Sequence, residues 1–144
     1  ANTFALVPGT TALNVDLGVD EGAGSELRDN LVTAAVTRLL PAWSSPLAPP
    51  GAAISCPTCS ALAVDHNLYW VATPLVGNAP SGPGDRTADP LLAGDDDLHP
   101  LAFSPAVYAG VRTPGAAPDV DPSEDFDGTP RPQGAIDIGA LQHR

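Results

Sequence analysis

Lysine and methionine are absent from this chain of 144 residues, and aromatic residues are few: three Phe, two Trp and two Tyr. All six basic residues are therefore arginines, set against 17 Asp and Glu for a formal net charge of −11. A surface this acidic repels nucleic-acid phosphates and anionic membranes, so neither is an expected partner. It suits solubility, and its carboxylates are of the type that attracts Ca²⁺, a hard cation. No run approaches the roughly 20 apolar residues that span a bilayer. The start carries neither the basic nor the apolar region of a signal peptide. With no Met, and with Asn2-Thr3-Phe4 reading like the middle of a repeat, the chain is expected to continue a longer precursor.

Cysteine is nearly absent as well, and the two present form Cys56-Pro57-Thr58-Cys59. Two thiols cannot complete a tetrahedral zinc site. No helical pattern follows them, as a redox motif in a βαβ unit would require. Between free thiols and a small disulfide-closed loop in an oxidising compartment, the loop is the better reading. Closing so short a loop stiffens it locally and adds little to the stability of the whole.

What the chain has in quantity is proline and glycine, 17 and 14 residues, together with a recurring pattern of Asn followed by a short apolar run. The pattern occurs at Asn2-Thr3-Phe4-Ala5-Leu6-Val7, Asn30-Leu31-Val32-Thr33-Ala34-Ala35-Val36 and Asn67-Leu68-Tyr69-Trp70-Val71. The intervals, 28 residues from Asn2 to Asn30 and 37 from Asn30 to Asn67, fall in the range of solenoid repeats with inserted loops. One insertion is visible as the proline-rich segment 41–51, whose prolines cannot donate to a strand ladder. Asn suits such points because it tolerates the left-handed backbone of a sharp turn. Its amide can also bond to an equivalent amide on a neighbouring strand. Asn2, Asn30 and Asn67 are thus expected to form a turn ladder. Further strands are expected at 11–17, 52–55 and 61–64. The segment 31–40 is read as strand over helix because Val32, Thr33, Val36 and Thr37 are β-branched.

From about Thr73 the character changes, and residues 73–135 are dense in Pro, Gly and Asp. So long a stretch without periodicity needs a scaffold to pack on. It ends in Asp125-Phe126-Asp127-Gly128-Thr129-Pro130-Arg131-Pro132-Gln133-Gly134-Ala135-Ile136-Asp137-Ile138-Gly139-Ala140. This run resembles the closing motif of secreted right-handed parallel β-helix proteins, the pectate-lyase-like group. Three more elements of that group are matched in order: Val64-Asp65-His66-Asn67-Leu68-Tyr69-Trp70, Asp89-Pro90-Leu91-Leu92, and the segment from Asp97-Leu98-His99-Pro100 to Val107. Tyr108 stands where the group usually has Asp, and Gln142 where it has Glu. The resemblance implies an all-β, right-handed parallel β-helix: coils over 1–72, then a loop-rich flank and C-terminal cap over 73–144. It also implies an extracellular or cell-surface location.

Within the closing motif, Gly128 and Gly134 permit tight turns, and Pro130 and Pro132 stiffen the chain around Arg131. Ile136 and Ile138 are expected to enter the last coil. Arg131 and Asp137 are expected to form a charge-assisted clasp across the end of the solenoid. Asp119, Asp121, Asp125 and Asp127 place carboxylates at intervals suggestive of a Ca²⁺ loop, but without the glycine and closing Glu of an EF-hand.

Catalysis is poorly provided for. Lyases of this architecture need a base, no Lys is present, and Arg is a poor one. Asp65 beside His66 is the nearest approach to a catalytic pair, and a structural turn histidine is the competing reading. Trp43, Tyr69 and Trp70 are candidate platforms for sugar rings, with one of Tyr69 and Trp70 facing inward. The expected function is a non-catalytic structural or adhesive segment that stacks, through its N-terminal coil, on another β-helical polypeptide or a copy of itself. The alternatives are the end of a polysaccharide lyase or glycoside hydrolase with its catalytic residues upstream, or a carbohydrate-binding module.

Overall fold

The computed structural model describes residues 3–6, 11–14, 26–34, 52–56, 62–71, 73–77, 80–94, 96–112 and 123–144. Asn2, Trp43, Cys59, Asp119, Asp121 and the insertion 41–51 lie outside them. Among the described residues there is no helix, and hence none long and apolar enough to cross a membrane. The protein is all-β. Its strands are β1 (Thr3–Leu6), β2 (Thr11–Asn14), β3 (Glu26–Arg28), β4 (Leu31–Ala34), β5 (Ala52–Cys56), β6 (Ala63–Asp65), β7 (Leu68–Trp70), β8 (Thr73–Gly77) and β9 (Arg86–Thr87).

Every pairing between these strands is parallel. The first sheet has the order β1-β4-β7-β9, the second β2-β5-β8 and the third β3-β6. The chain therefore visits the sheets in rotation, each strand pairing with the one three places earlier until β9. In the first sheet Thr3 is in register with Leu31, Leu31 with Leu68 and Leu68 with Arg86. The Asn-to-Asn intervals read from the sequence are thus the register of this sheet. Three strands were not legible as such. β3 carries charges at both ends, whereas β8 and β9 lie in the proline-rich region, beyond the boundary expected at residue 72. Their partners hold them extended where local pattern does not.

Parallel strands are ordinarily covered on both faces, and β4 and β7 follow that rule. Leu31 and Leu68 pack in one cluster with Leu92, Ala106, Ala109 and Ile138. Val32 and Tyr69, one position on, turn to the opposite face and are also buried, as are Leu62, Val64 and Val71. The second layer on the Leu31 and Leu68 face therefore comes from the proline- and glycine-rich half of the chain. Complete burial of a side chain such as Leu68 or Ile138 contributes about 2 kcal/mol.

The closing segment sits on this flank. Gly139 donates its N–H to the Asp29 carbonyl (2.9 Å), and Ala140 donates to Thr3 Oγ (3.0 Å). At Gly139, φ is +110°, and a Cβ there would lie 2.8 Å from Thr3 Oγ and 3.3 Å from Leu31 Cβ. Ile138 thus packs against Leu31 of β4 and Leu68 of β7, together with Leu92, Ala106 and Ala109. Asp137 is buried together with Ile136 and Ile138.

Candidate functional site

The turn that precedes β4 recurs before β7. Asp29 and His66 have φ of 57° and 56°, so the left-handed position is the residue before each Asn, and neither Asn30 nor Asn67 adopts it. The asparagines act through their amides instead. Asn30 donates from N and Nδ2 to Asn67 Oδ1, both at 3.0 Å. Asn67 donates in turn to Asp85 Oδ1 from N (2.9 Å) and Nδ2 (3.0 Å). Its Nδ2 also reaches the Leu27 and Asp65 carbonyls at 3.1 Å. Register explains the third member: Asn30, Asn67 and Asp85 immediately precede Leu31, Leu68 and Arg86. Asp85 escaped the sequence reading because its residue type changes and its interval is 18 residues from Asn67.

Around this ladder a glycine-rich turn closes on β6. Gly84 donates to Asp65 Oδ1 (2.7 Å) and Gly82 to Asp85 Oδ2 (3.0 Å). A Cβ on Gly82 would overlap the Val64 carbonyl oxygen and lie 2.6 Å from Asp65 Cα. His66 Nδ1 lies 3.0 Å from Asp65 Oδ2, so the expected pair exists, with the ring packed on Gly84. Burial pushes the Asp65 carboxyl up, but the Gly84 N–H and the His66 contacts outweigh it and leave it below the ordinary range. No hydroxyl or thiol nucleophile is bonded to the imidazole among the described contacts, and the pair anchors a turn.

Each of the chain's other two histidines is also held by Asp. His99, buried, places Nδ1 2.5 Å from Asp97 and Nε2 3.3 Å from Asp127, which in turn holds Arg144 at 3.0 Å. The hydrogen bond from His99 keeps the Asp97 carboxyl below its usual range. With a carboxylate facing each ring nitrogen, His99 presents no nitrogen to a substrate. His143 lies 2.8 Å from Asp137 through Nδ1, and its ring meets that of Tyr108 edge-on. Tyr108, at φ 52°, donates its N–H to the other Asp137 oxygen (2.9 Å).

Arg131 and Asp137 are both buried, but their recorded partners differ from the pairing expected. Arg131 Nη2 donates to the carbonyls of Gly139 and Ala140 (3.0 Å each), and Nε to that of Glu124 (3.3 Å). Asp137 instead holds Tyr108 and His143. The two residues secure the same segment separately, along the flank of the sheet. Asp125 accepts N–H groups from Asp127, Thr129 and Gln142. Burial raises its carboxyl, but these bonds and Arg131 outweigh burial and draw it below the usual range. Asp125 and Asp127 are thus engaged by N–H groups, His99 and Arg144. Among the described residues no group of three or more acidic, His or Cys side chains is arranged around a metal position.

The sugar-platform residues separate. Tyr69 is 2% exposed and cannot stack on a ligand, a correction to its candidacy. Burial, then the Asp85 charge, push its phenol well above the ordinary value. Trp70 is partly exposed. Cys56 ends β5, and its pairing with Cys59 lies outside the described residues.

What the fold defines is an all-β protein of short parallel strands in which Asn30, Asn67, Asp65, Asp85, Asp125 and Asp137 hold turns and closing segments. No family model matches the chain, and no curated protein or solved structure matches it.

Proposed function

We propose that this chain is a non-catalytic structural or adhesive segment of a right-handed parallel β-helix, secreted or displayed at a cell surface. The observation that carries the reading is the rotation of parallel strands through three sheets, with a polar ladder at the same point of successive turns. The resemblance of the closing motif points the same way. Against chemistry within the chain stand the missing lysine and the engagement of Asp65, Asp97, Asp125, Asp127 and Asp137 in structural contacts. The work of such a segment is to stack. β1, β2 and β3 each lie at the edge of their sheet, and open strand edges pair with further strands.

Sedimentation equilibrium tests this reading directly. The chain is expected to associate with rising concentration, and Ala5→Pro in β1 is expected to abolish the association. A monomer at millimolar concentration, or release of sugar ends from polygalacturonate, alginate or β-glucan, would overturn it. Trp70 keeps a glycan-contact role open to measurement. Retention on immobilised polysaccharide that is lost on Trp70→Ala would place the chain among carbohydrate-binding modules instead.

A further inference from the structure

The rings of Tyr108 and His143 do no work in the core. Tyr108 is 59% exposed, yet its backbone stands at φ 52°, where a tyrosine is strained. His143, partly exposed, lies across it, with ring centroids 5.0 Å apart and planes at 83°. Two rings so placed bound a right-angled corner, with an aromatic face on each wall.

One buried carboxylate fixes both walls. Asp137 Oδ1 accepts from Tyr108 N (2.9 Å), and Oδ2 accepts from His143 N (2.6 Å) and Nδ1 (2.8 Å). With a carboxylate as acceptor, the proton between ring and Asp137 sits on Nδ1. Nε2 is left facing away from the anchor and has no partner among the described residues. It can accept from a hydroxyl when bare and donate to one when protonated. The Tyr108 hydroxyl is likewise without a partner among them. Groups held in place beforehand need no ordering when a ligand arrives, which lowers the cost of binding.

We infer that Tyr108 and His143 form a binding site for a pyranose unit of a neutral polysaccharide. A pyranose is apolar on its C–H face and polar around its rim. The Tyr108 face takes the C–H face, while His143 Nε2 and the Tyr108 hydroxyl bond the rim hydroxyls. Charge selects within the class. Arg144, beside His143, is already paired with Asp127 at 3.0 Å, and the net charge of −11 repels uronate chains. The site gives the adhesive form of the proposed function its ligand class, and it rests on that reading.

Affinity electrophoresis tests it, in native gels cast with xylan, β-glucan, galactomannan or polygalacturonate. The wild type is expected to be retarded by at least one of the three neutral polysaccharides and not by polygalacturonate. Tyr108→Asn removes the ring but tolerates the left-handed backbone and keeps the N–H to Asp137. It should weaken binding about tenfold. His143→Ala keeps the backbone bond to Asp137 and should weaken binding about fivefold. Absence of retardation in all three neutral gels, retardation by polygalacturonate alone, or undiminished binding by Tyr108→Asn overturns the site. So does binding lost on Trp70→Ala and kept in Tyr108→Asn, which moves the contact to β7. Should a variant fail to fold, the wild type decides by NMR titration with an oligosaccharide cut from the retarding polymer. The ring protons of Tyr108 and His143 are expected to shift, and unmoved rings refute the corner. Sedimentation reads the stacking separately. A chain that associates but is not retarded loses this site alone, whereas a monomer retarded through Tyr108 loses the stacking alone.

Discussion

Asn67 carries more of the fold than any neighbouring apolar residue of its size could. It is fully buried and satisfies Asn30, the Leu27 and Asp65 carbonyls and Asp85 at once. Removing its amide takes the acceptor from two Asn30 N–H groups and a donor from the Leu27 and Asp65 carbonyls, while Asp85 Oδ1 keeps only the backbone N–H of residue 67. Such orphaned groups cost their full desolvation. Asn67→Ala is expected to lower unfolding stability by about 3 kcal/mol, read from the urea midpoint. Asp29 is the opposite case. Burial raises its carboxyl, with the Val111 N–H only partly offsetting this, so ionisation is harder in the folded chain than in the unfolded one. The fold is therefore penalised above the folded value, and the penalty vanishes below the unfolded value of about 3.9. Asn keeps an acceptor for Val111 N and tolerates φ of 57°. Asp29→Asn should raise the melting temperature by about 3 °C at pH 7 and bring no gain below about pH 4. Equal midpoints at pH 7 would contradict this assignment.

At the scale of elements, the closing segment is held by polar contacts to backbone as much as by its isoleucines. A segment without strand or helix must satisfy its own N–H and C=O groups. Arg131 does this for Glu124, Gly139 and Ala140, Asp125 for the turn at 127–129 and for Gln142, and Asp137 for Tyr108 and His143. A planar guanidinium can fork between two carbonyls, which an ammonium cannot reproduce. Arg131→Ala is expected to lower the melting temperature by about 6 °C, and Arg131→Lys should restore little of it. An unchanged midpoint would remove Arg131 from the account of the flank. The motif residues were visible in the sequence, whereas their partners were not. Charge type suggested Arg131 with Asp137, but the backbone path put carbonyls at the guanidinium and His143 at the carboxylate.

At the scale of the molecule, parallel pairing alone is costly to assemble, because each contact closes a loop of 18 to 41 residues (Leu68 to Arg86, Thr11 to Ala52). The cost is met by stacking like on like: Leu31 on Leu68, Val32 on Tyr69, Asn30 on Asn67. The second half of the chain then covers the Leu31 and Leu68 face of β4 and β7. That covering explains how the described residues of 80–144, whose only strand is β9, contribute Leu92, Ala106, Ala109 and Ile138 to the core. Phe103 and Phe126, 94% and 85% exposed, take no part in this packing.

The sequence by itself determined the all-β class, the positions of β1, β4 and β7, and the ladder members Asn30 and Asn67. These follow from local pattern, namely an Asn turn before each short apolar run and the interval between runs. Only the tertiary structure decided that Asp85 completes the ladder, that Tyr69 is core, and that the closing motif runs along the flank. Each of those outcomes depends on which distant backbone lies beside the residue, a fact carried by register and covering layers and not by residue type.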